Sequence, residues 1–398
     1  MLWLPPFLWL SSFISFLPRS IAERPWTLAF SRGGFGEGGL SKGKHNSGGF
    51  GKKATTPTTS VAPTKKIRKR PKILLDEESF KTSSNEPQQQ QQQKLDKWGL
   101  PLPTLDDIFP PMPPGTELKA ISKDSYTVGE IQELLKKHLP LNLDRFNESA
   151  MEKHPPSDGR LPMKITLLHE SPPVLVIDNF FTPEECQATE RVAFSTDKND
   201  LLSVRPVQVD SKTFELSQST RTSTSWFCYY HQVPHLLAKC HSMLGIALEQ
   251  MEEPQIVRYQ AGQEFSWHYD EVPLPQLSNG GQRLATLLVY LNTVTDSFNQ
   301  HAGGATVFRD LLDRHGNQLA VHPVQGRALL FFPALANGQP DDRTLHRGEM
   351  VSSSASVEKR IIQMWIHQRA YQAAVPQNNR QEDAIEAVNE VMKTLGQT

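Results

Sequence analysis

VRYQAGQEFSWHYD, residues 257–270, runs as a strand, a turn and then two side chains able to hold one metal ion. Gly262 is free to take the sharp bend that follows Tyr259. His268 and Asp270 stand two residues apart, so on an extended chain both point to the same face and can share a ligand. A second histidine, His346, lies 78 residues further on. Two histidines and one carboxylate form the facial triad that holds non-haem Fe(II) and leaves positions open for a co-substrate and dioxygen. In a chain with 13 histidines a His-x-Asp pair also arises by accident as a surface pair, so its weight comes from what surrounds it.

Outward from that stretch, short strands alternate with turns. Residues 173–178 (PVLVID) read as a buried strand, and Thr182, Pro183 and Glu185 supply the N-cap, first-turn proline and N3 glutamate of a helix start. Further strands are expected at 256–259, 284–291, 305–308, 328–332 and 360–366, each β-branched, leucine-rich or aromatic between Gly, Asn and Pro breaks. Many short strands with a few flanking helices imply a mostly β domain, a sandwich or barrel. A closed barrel would return His346 to the mouth that carries His268 and Asp270. Lys359 begins the last strand, six residues before Trp365. A cation there suits the distal end of a dicarboxylate, because a desolvated carboxylate without a partner is costly; the plainer alternative is a solvated lysine. Helical spacing recurs at 128–139 through Val128, Ile131, Leu134 and Leu135, and at 380–395 through Ile385, Val388, Val391 and Met392.

Taken in order, VLVIDNFFTPEEC (174–186), STRTSTSWF (219–227), residues 257–270, RLATLLVYLN (283–292), GGATVF (303–308), GRALLFF (326–332), PDDRTLHRGEMV (340–351) and KRIIQMWIH (359–367) resemble the prolyl 4-hydroxylase branch of the 2-oxoglutarate- and Fe(II)-dependent dioxygenases. The resemblance covers 172–371. It implies a double-stranded β-helix (jelly-roll) core with flanking helices and Fe(II) on His268, Asp270 and His346. It also implies Lys359 on the far carboxylate of 2-oxoglutarate, with Tyr259 lining the same pocket. O2 is the other co-substrate, and ascorbate is implied with them. The implied reaction is hydroxylation of peptidyl proline, coupled to decarboxylation of 2-oxoglutarate to succinate, on a proline-containing peptide or protein. Arg360 is the alternative anchor; on a strand it faces away from Lys359, so only one of the two reaches the pocket. Relative to the family pattern, the loops at 296–301 and 352–356 are long, and such loops shape substrate access. Two other functions are weighed: the same iron chemistry on another residue, a nucleic-acid base or a small molecule, and a catalytically silent β-helix used for binding. An intact triad with Lys359 speaks against the silent module.

The rest of the chain bounds these expectations. In 398 residues there is room for one large domain plus appendages or two ordinary ones. Hydrophobic residues make up 37%, mean hydropathy is −0.46, and 30 prolines and 24 glycines are present, which excludes a polytopic membrane protein. A net charge of −1 provides no global field for nucleic acid, and the basic cluster Lys65, Lys66, Arg68, Lys69, Arg70 and Lys72 lies outside the catalytic blocks. Nucleic acid is therefore an unfavoured partner.

Residues 2–17, LWLPPFLWLSSFISFL, are too short and proline-broken for a span but suit a signal-peptide apolar region. The expected plan is a cleaved signal or N-terminal membrane anchor at 1–20 and a disordered low-complexity linker at 21–116, with order starting near Leu118. An accessory helical segment at 117–171, the dioxygenase domain at 172–371 and a C-terminal helix at 372–398 complete it. With the Asn147-Glu148-Ser149 sequon, this points to the secretory pathway and the endoplasmic reticulum. The Gly-, Ser- and Thr-rich residues 24–60 also fit a plastid transit region. Cys186, Cys228 and Cys240 permit at most one disulfide, with buried thiols the alternative. His301, His315, His322 and His367 are expected at surface or structural positions, and Arg221 and Thr222 as packing and hydrogen-bonding residues.

Overall fold

Burial on two sides dictates the strand sequences. In the computed structural model, which describes residues 104–139, 141, 143, 161–195, 207–210 and 221–396, thirteen strands form two sheets. They are β1 (Lys119–Ala120), β2 (Lys164–Ser171), β3 (Val174–Asp178), β4 (Val207–Asp210), β5 (Thr224–Phe227), β6 (Gln255–Tyr259), β7 (Phe265–His268), β8 (Arg283–Tyr290), β9 (Thr306–Leu312), β10 (Gln318–Val321), β11 (Ala328–Phe331), β12 (His346–Gly348) and β13 (Lys359–His367). The larger sheet has the order β1-β2-β3-β11-β8-β13-β6-β5-β4, and the smaller one β10-β9-β12-β7. All their strand pairs are antiparallel, and the two sheets enclose a double-stranded β-helix core.

Alternation divides the central strands into two sets of side chains. Ala285, Leu287 and Val289 of β8, Ala328 and Leu330 of β11, and Ile362, Met364 and Ile366 of β13 join one cluster. Packed into it are the inward residues of four helices: Ile131 and Leu135 of α2 (Val128–Leu135), Cys186 and Val192 of α3 (Pro183–Phe194), Leu236, Leu237 and Met243 of α4 (Pro234–Leu244), and Val388 and Val391 of α5 (Ile385–Thr394). The intervening residues Leu288, Tyr290, Leu329, Phe331 and Ile361 face Phe308, Leu319 and Val321 of the smaller sheet. Each fully buried aliphatic side chain contributes roughly 1.5–3 kcal/mol, which is why these strands read as nearly unbroken apolar runs.

The helix start at Thr182 forms as its sequence prescribes: Thr182 Oγ1 accepts from the Glu185 N–H at 3.2 Å, and the Glu185 carboxylate accepts from the Thr182 N–H at 2.8 Å. Order sets in before Leu118. Helix α1 (Leu105–Ile108) and buried Phe109 lie within the stretch expected to be linker. The segment expected to be helical supplies β1 and β2 as well as α2, and β2 pairs with β3. Its sequence, KITLLHES, hides this because buried Glu170 is satisfied at a distance and buried His169 locally: Glu170 accepts from Ser122 and Tyr126 and pairs with Lys119, and His169 Nδ1 bonds the Pro172 carbonyl. Helix α2 stops at Leu135 rather than 139, and a 3-10 turn (Gln381–Ala384) precedes α5. That turn seats Ala384 in the core and leaves Ile385 44% exposed.

All three cysteines are free and buried, so none forms a disulfide. Among the described residues no helix is long and apolar enough to cross a membrane. The apolar start, the transit-like stretch, the basic cluster and the Asn147 sequon lie outside the described residues.

Gly326 joins α3 to the sheet. It has φ +78°, its N–H donates to the Tyr290 carbonyl and its carbonyl accepts from Phe181, both at 2.9 Å, and a Cβ there would lie 2.3 Å from the Phe181 carbonyl oxygen. Gly326→Ala is predicted to cost at least about 2 kcal/mol, from left-handed strain plus backbone displacement. A lowered urea midpoint at unchanged slope is the expected result.

Candidate metal centre and co-substrate pocket

Strand β12 lies between β9 and β7, with His346 directly opposite His268. Asp270 follows β7 by two residues and comes in on the same side, so the three ligand atoms lie within 4.8 Å of one another. All three residues are buried. His268 Nδ1 bonds the Ser266 carbonyl at 2.7 Å, and His346 Nδ1 bonds the Thr344 carbonyl at 2.9 Å. Those bonds place a proton on each Nδ1 and leave each Nε2 lone pair free. The two Nε2 atoms converge on Asp270, at 3.7 Å from Oδ1 and 3.7 Å from Oδ2 respectively. Burial, reinforced by His346, pushes His268 down to about 3, so its imidazole is neutral at working pH. Burial opposes the charge of Asp270, yet His346, His268, Arg283 and the Thr286 hydroxyl together hold its carboxyl below the usual range. Two imidazoles that present Nε2 and one carboxylate are the donor set of a non-haem Fe(II) site, and the residues fit that ion.

Neighbouring groups fix the ligands. The His268 ring stacks on Phe265 at 3.6 Å between centroids, and the His346 ring meets Phe331 edge-on at 4.7 Å. Thr286 Oγ1 donates to Asp270 Oδ2 at 2.7 Å. Behind Asp270, Arg283 bonds Glu252 at 2.7 and 2.5 Å, lies 3.9 Å over the Trp365 ring and reaches the Asp270 carbonyl at 3.4 Å, while His367 Nε2 bonds Glu252 at 2.8 Å. Thr286 and Arg283 were not singled out from the sequence as site residues. The available signal for Thr286 was the one threonine in the otherwise aliphatic and aromatic run LATLLVY.

The far end of the cavity is set by the β13–β6 pair, in which Lys359 stands opposite Tyr259. Lys359 is 1% exposed, with Nζ 4.8 Å from the Tyr259 ring centroid and 5.8 Å from that of Tyr290. Among the described residues no carboxylate oxygen comes within 4.0 Å of its Nζ. Burial pushes its pKa down to about 7 against a weaker pull from Glu349. Gly304, at φ +74°, gives the side chain room, since a Cβ there would sit 3.3 Å from Lys359 Cδ. Burial also raises the Tyr259 phenol. One cavity is lined by Tyr259, His268, Asp270, His346 and Lys359. Arg360 lies on the other face, paired with Glu190 at 3.3 Å and Glu358 at 3.5 Å and resting over Phe194.

Of the remaining candidates, Arg221 borders the site and the histidines lie outside the cavity lining. Arg221 packs over Phe265 and donates to Ser223 and Ser225 at 2.8 and 2.5 Å. His301 and His322 stack on each other at 4.1 Å, His315 is exposed, and His367 is buried on Glu252. The two long loops meet: Ser356 donates through its N–H and hydroxyl to the Thr295 carbonyl, at 2.9 and 2.7 Å.

A family model described as the 2OG-Fe(II) oxygenase superfamily matches residues 254–367, a span that holds all five cavity residues named above. The chain is 31% identical over 226 residues to probable prolyl 4-hydroxylase 6 of Arabidopsis thaliana, covering 53% of this chain and 74% of that protein. It is 29% identical to prolyl 4-hydroxylase 2 of the same plant, covering 53% of this chain and 73% of that protein. Among solved structures it is similar to a viral collagen prolyl hydroxylase from Paramecium Bursaria Chlorella virus-1, at 24% identity and a TM-score of 0.36, covering 48% of this chain and 94% of that one.

Replacing His268, Asp270 or His346 by Ala should abolish Co(II) binding, followed by its visible absorption, while leaving the far-ultraviolet circular dichroism unchanged. Thr286→Val, which keeps shape and removes the hydroxyl, should weaken Co(II) binding about tenfold or more, because Asp270 loses the donor that orients it. Full affinity in the valine variant would remove Thr286 from the site.

Proposed function

The chain belongs to the prolyl 4-hydroxylase branch of the 2-oxoglutarate- and Fe(II)-dependent dioxygenases, and from that premise we propose that it hydroxylates prolyl residues of peptide or protein substrates, with the His268, Asp270 and His346 set holding the iron. The observation that carries this reading is the pairing, in one cavity, of a two-His, one-carboxylate donor set with a buried lysine that has no ion pair among the described residues. Iron, 2-oxoglutarate and dioxygen supply the oxidising chemistry that an amino-acid side chain lacks, giving succinate and carbon dioxide beside the hydroxylated product.

The residues of the chain hold and orient. His268 and His346 present Nε2 because their Nδ1 protons are engaged by backbone carbonyls. Thr286 turns the Asp270 carboxylate, and Lys359, which the β13–β6 register brings into the cavity, would take the far carboxylate of 2-oxoglutarate. Tyr259 walls the same end. A polyproline-type peptide suits such a site because its stiffness lowers the ordering cost of binding. The reaction is proposed to run in the secretory pathway, a reading supported by the apolar residues 2–17 and the Asn147 sequon.

Succinate formation with and without a proline-rich peptide tests the activity: turnover that the peptide stimulates, with a mass gain of one oxygen on proline, is expected, and stimulation by a non-peptide substrate alone would overturn the substrate class. Lys359→Ala should raise the Michaelis constant for 2-oxoglutarate at least about tenfold, whereas Arg360→Ala should leave it nearly unchanged. The Lys359 pKa gives the pH dependence its sign. Below about 7 the ammonium is already formed; above it, binding the dicarboxylate must first take up a proton, so affinity should fall by up to about tenfold per pH unit. Calorimetry in buffers of different ionisation enthalpy would read that proton uptake, and a pH-independent affinity from 6 to 9 would dissociate Lys359 from the co-substrate. A fusion of residues 1–60 to a fluorescent reporter should mark the endoplasmic reticulum; a plastid, cytosolic or nuclear signal would refute the secretory assignment.

A further inference from the structure

The strands that carry the triad are short. β7 has four residues and β12 three, β7 is an edge of its sheet, and the β12–β7 register shifts between His346 and Gly348. Short strands with one irregularity hold their register weakly on their own. Something outside the cavity must add to it.

On the outer face of that sheet lies the segment 105–117. His268 and Asp270 point inward, so Tyr269 between them points outward. Phe109, 9% exposed, sets its ring edge-on to Tyr269, with centroids 5.7 Å apart and planes at 68°. On the far side of β12, Phe308 of β9 turns its ring toward His346 at 5.7 Å, and the next residue, Arg309, points outward. Arg309 donates to the carbonyls of Phe109 at 2.6 Å and Pro110 at 3.1 Å, and Asp310 holds its guanidinium at 3.0 Å. Its own N–H donates to the carbonyl of Leu345, the residue before His346, at 2.9 Å. Arg343, three residues before His346, donates to the Glu117 carbonyl at 2.9 Å and is held by Asp341.

The segment is thus tied to the strand of His268 and Asp270 at one point, to the strand beside His346 at a second and to the turn leading into His346 at a third. Its prolines, Pro110, Pro111, Pro113 and Pro114, lack N–H donors and have fixed φ. They cannot join a sheet as a strand, but they stiffen the backbone between the Phe109 and Pro110 carbonyls that Arg309 uses and the Glu117 carbonyl that Arg343 uses.

We propose that residues 105–117 are a strap that holds the two halves of the triad in register from outside the barrel, with Phe109 and Arg309 as positioning residues. The proposal rests on the triad being the metal site. It extends the working catalytic unit to residue 105, well before the matched family region begins at 254.

Co(II) titration of the full chain, with its visible spectrum recorded, tests this in Phe109→Ala, Arg309→Gln and the rescue variant Phe109→Tyr. A merely structural role would lower the melting temperature of the metal-free protein and leave the affinity and spectrum of the folded protein unchanged. The strap predicts about a tenfold weaker Co(II) affinity and a shifted spectrum in both Phe109→Ala and Arg309→Gln, well below their melting temperatures, with recovery in Phe109→Tyr. If Phe109→Ala does not fold, Arg309→Gln decides. Wild-type affinity and spectrum in the folded variants would overturn the strap and leave the metal site standing. Failure of the wild-type chain to bind Co(II) would instead overturn the metal site, and the strap with it.

Discussion

Strict two-residue alternation along strands buried on both faces is the constraint from which the rest of this domain follows. The larger sheet is a wall with helices on one side and the cavity on the other, so every position in β8 and β13 has an assigned side. Ile362, Met364 and Ile366 anchor β13 among the helices, and that anchoring sends Lys359, Gln363 and Trp365 to the cavity side. A slip of one residue would present Arg360 in place of Lys359 and move three large apolar side chains off the helices at once. The register of the co-substrate end is therefore enforced by hydrophobic burial remote from it.

The cavity handles charge in two different ways. At the metal end, burial is compensated within the protein: Asp270 has Thr286 and two imidazoles, and behind it Arg283, Glu252 and His367 form a closed set with Trp365 as its floor. At the other end Lys359 is desolvated beside two phenol rings, with neither hydrogen bond nor ion pair at its ammonium among the described residues. A buried ammonium in such surroundings is an incomplete pair, and the partner it lacks is an anion.

What could be read in the sequence was local. His268 and Asp270 share a face because of their spacing alone, the apolar runs at 284–291 and 360–366 mark β8 and β13, and Thr182 to Glu185 state their own helix start. Lys359 and Arg360 were separable because neighbours on a strand face opposite ways. The hidden features depend on contacts far along the chain. Strand β2 escaped notice because Glu170 finds Lys119, Ser122 and Tyr126 some fifty positions away. Thr286 and Arg283 acquire meaning only once β8 is laid against Asp270. The prolines at 110–114 look like linker because their composition forbids a strand, yet Arg309, about 200 positions away, gives the carbonyls of Phe109 and Pro110 a partner.

The incomplete pair at Lys359 also bears on how long the protein lasts in a cell. An anion that binds beside Lys359 in the folded protein would favour the folded chain over the unfolded one by mass action. Proteases and chaperones sample the opened population, so an anion held beside Lys359 would slow the loss of the folded chain.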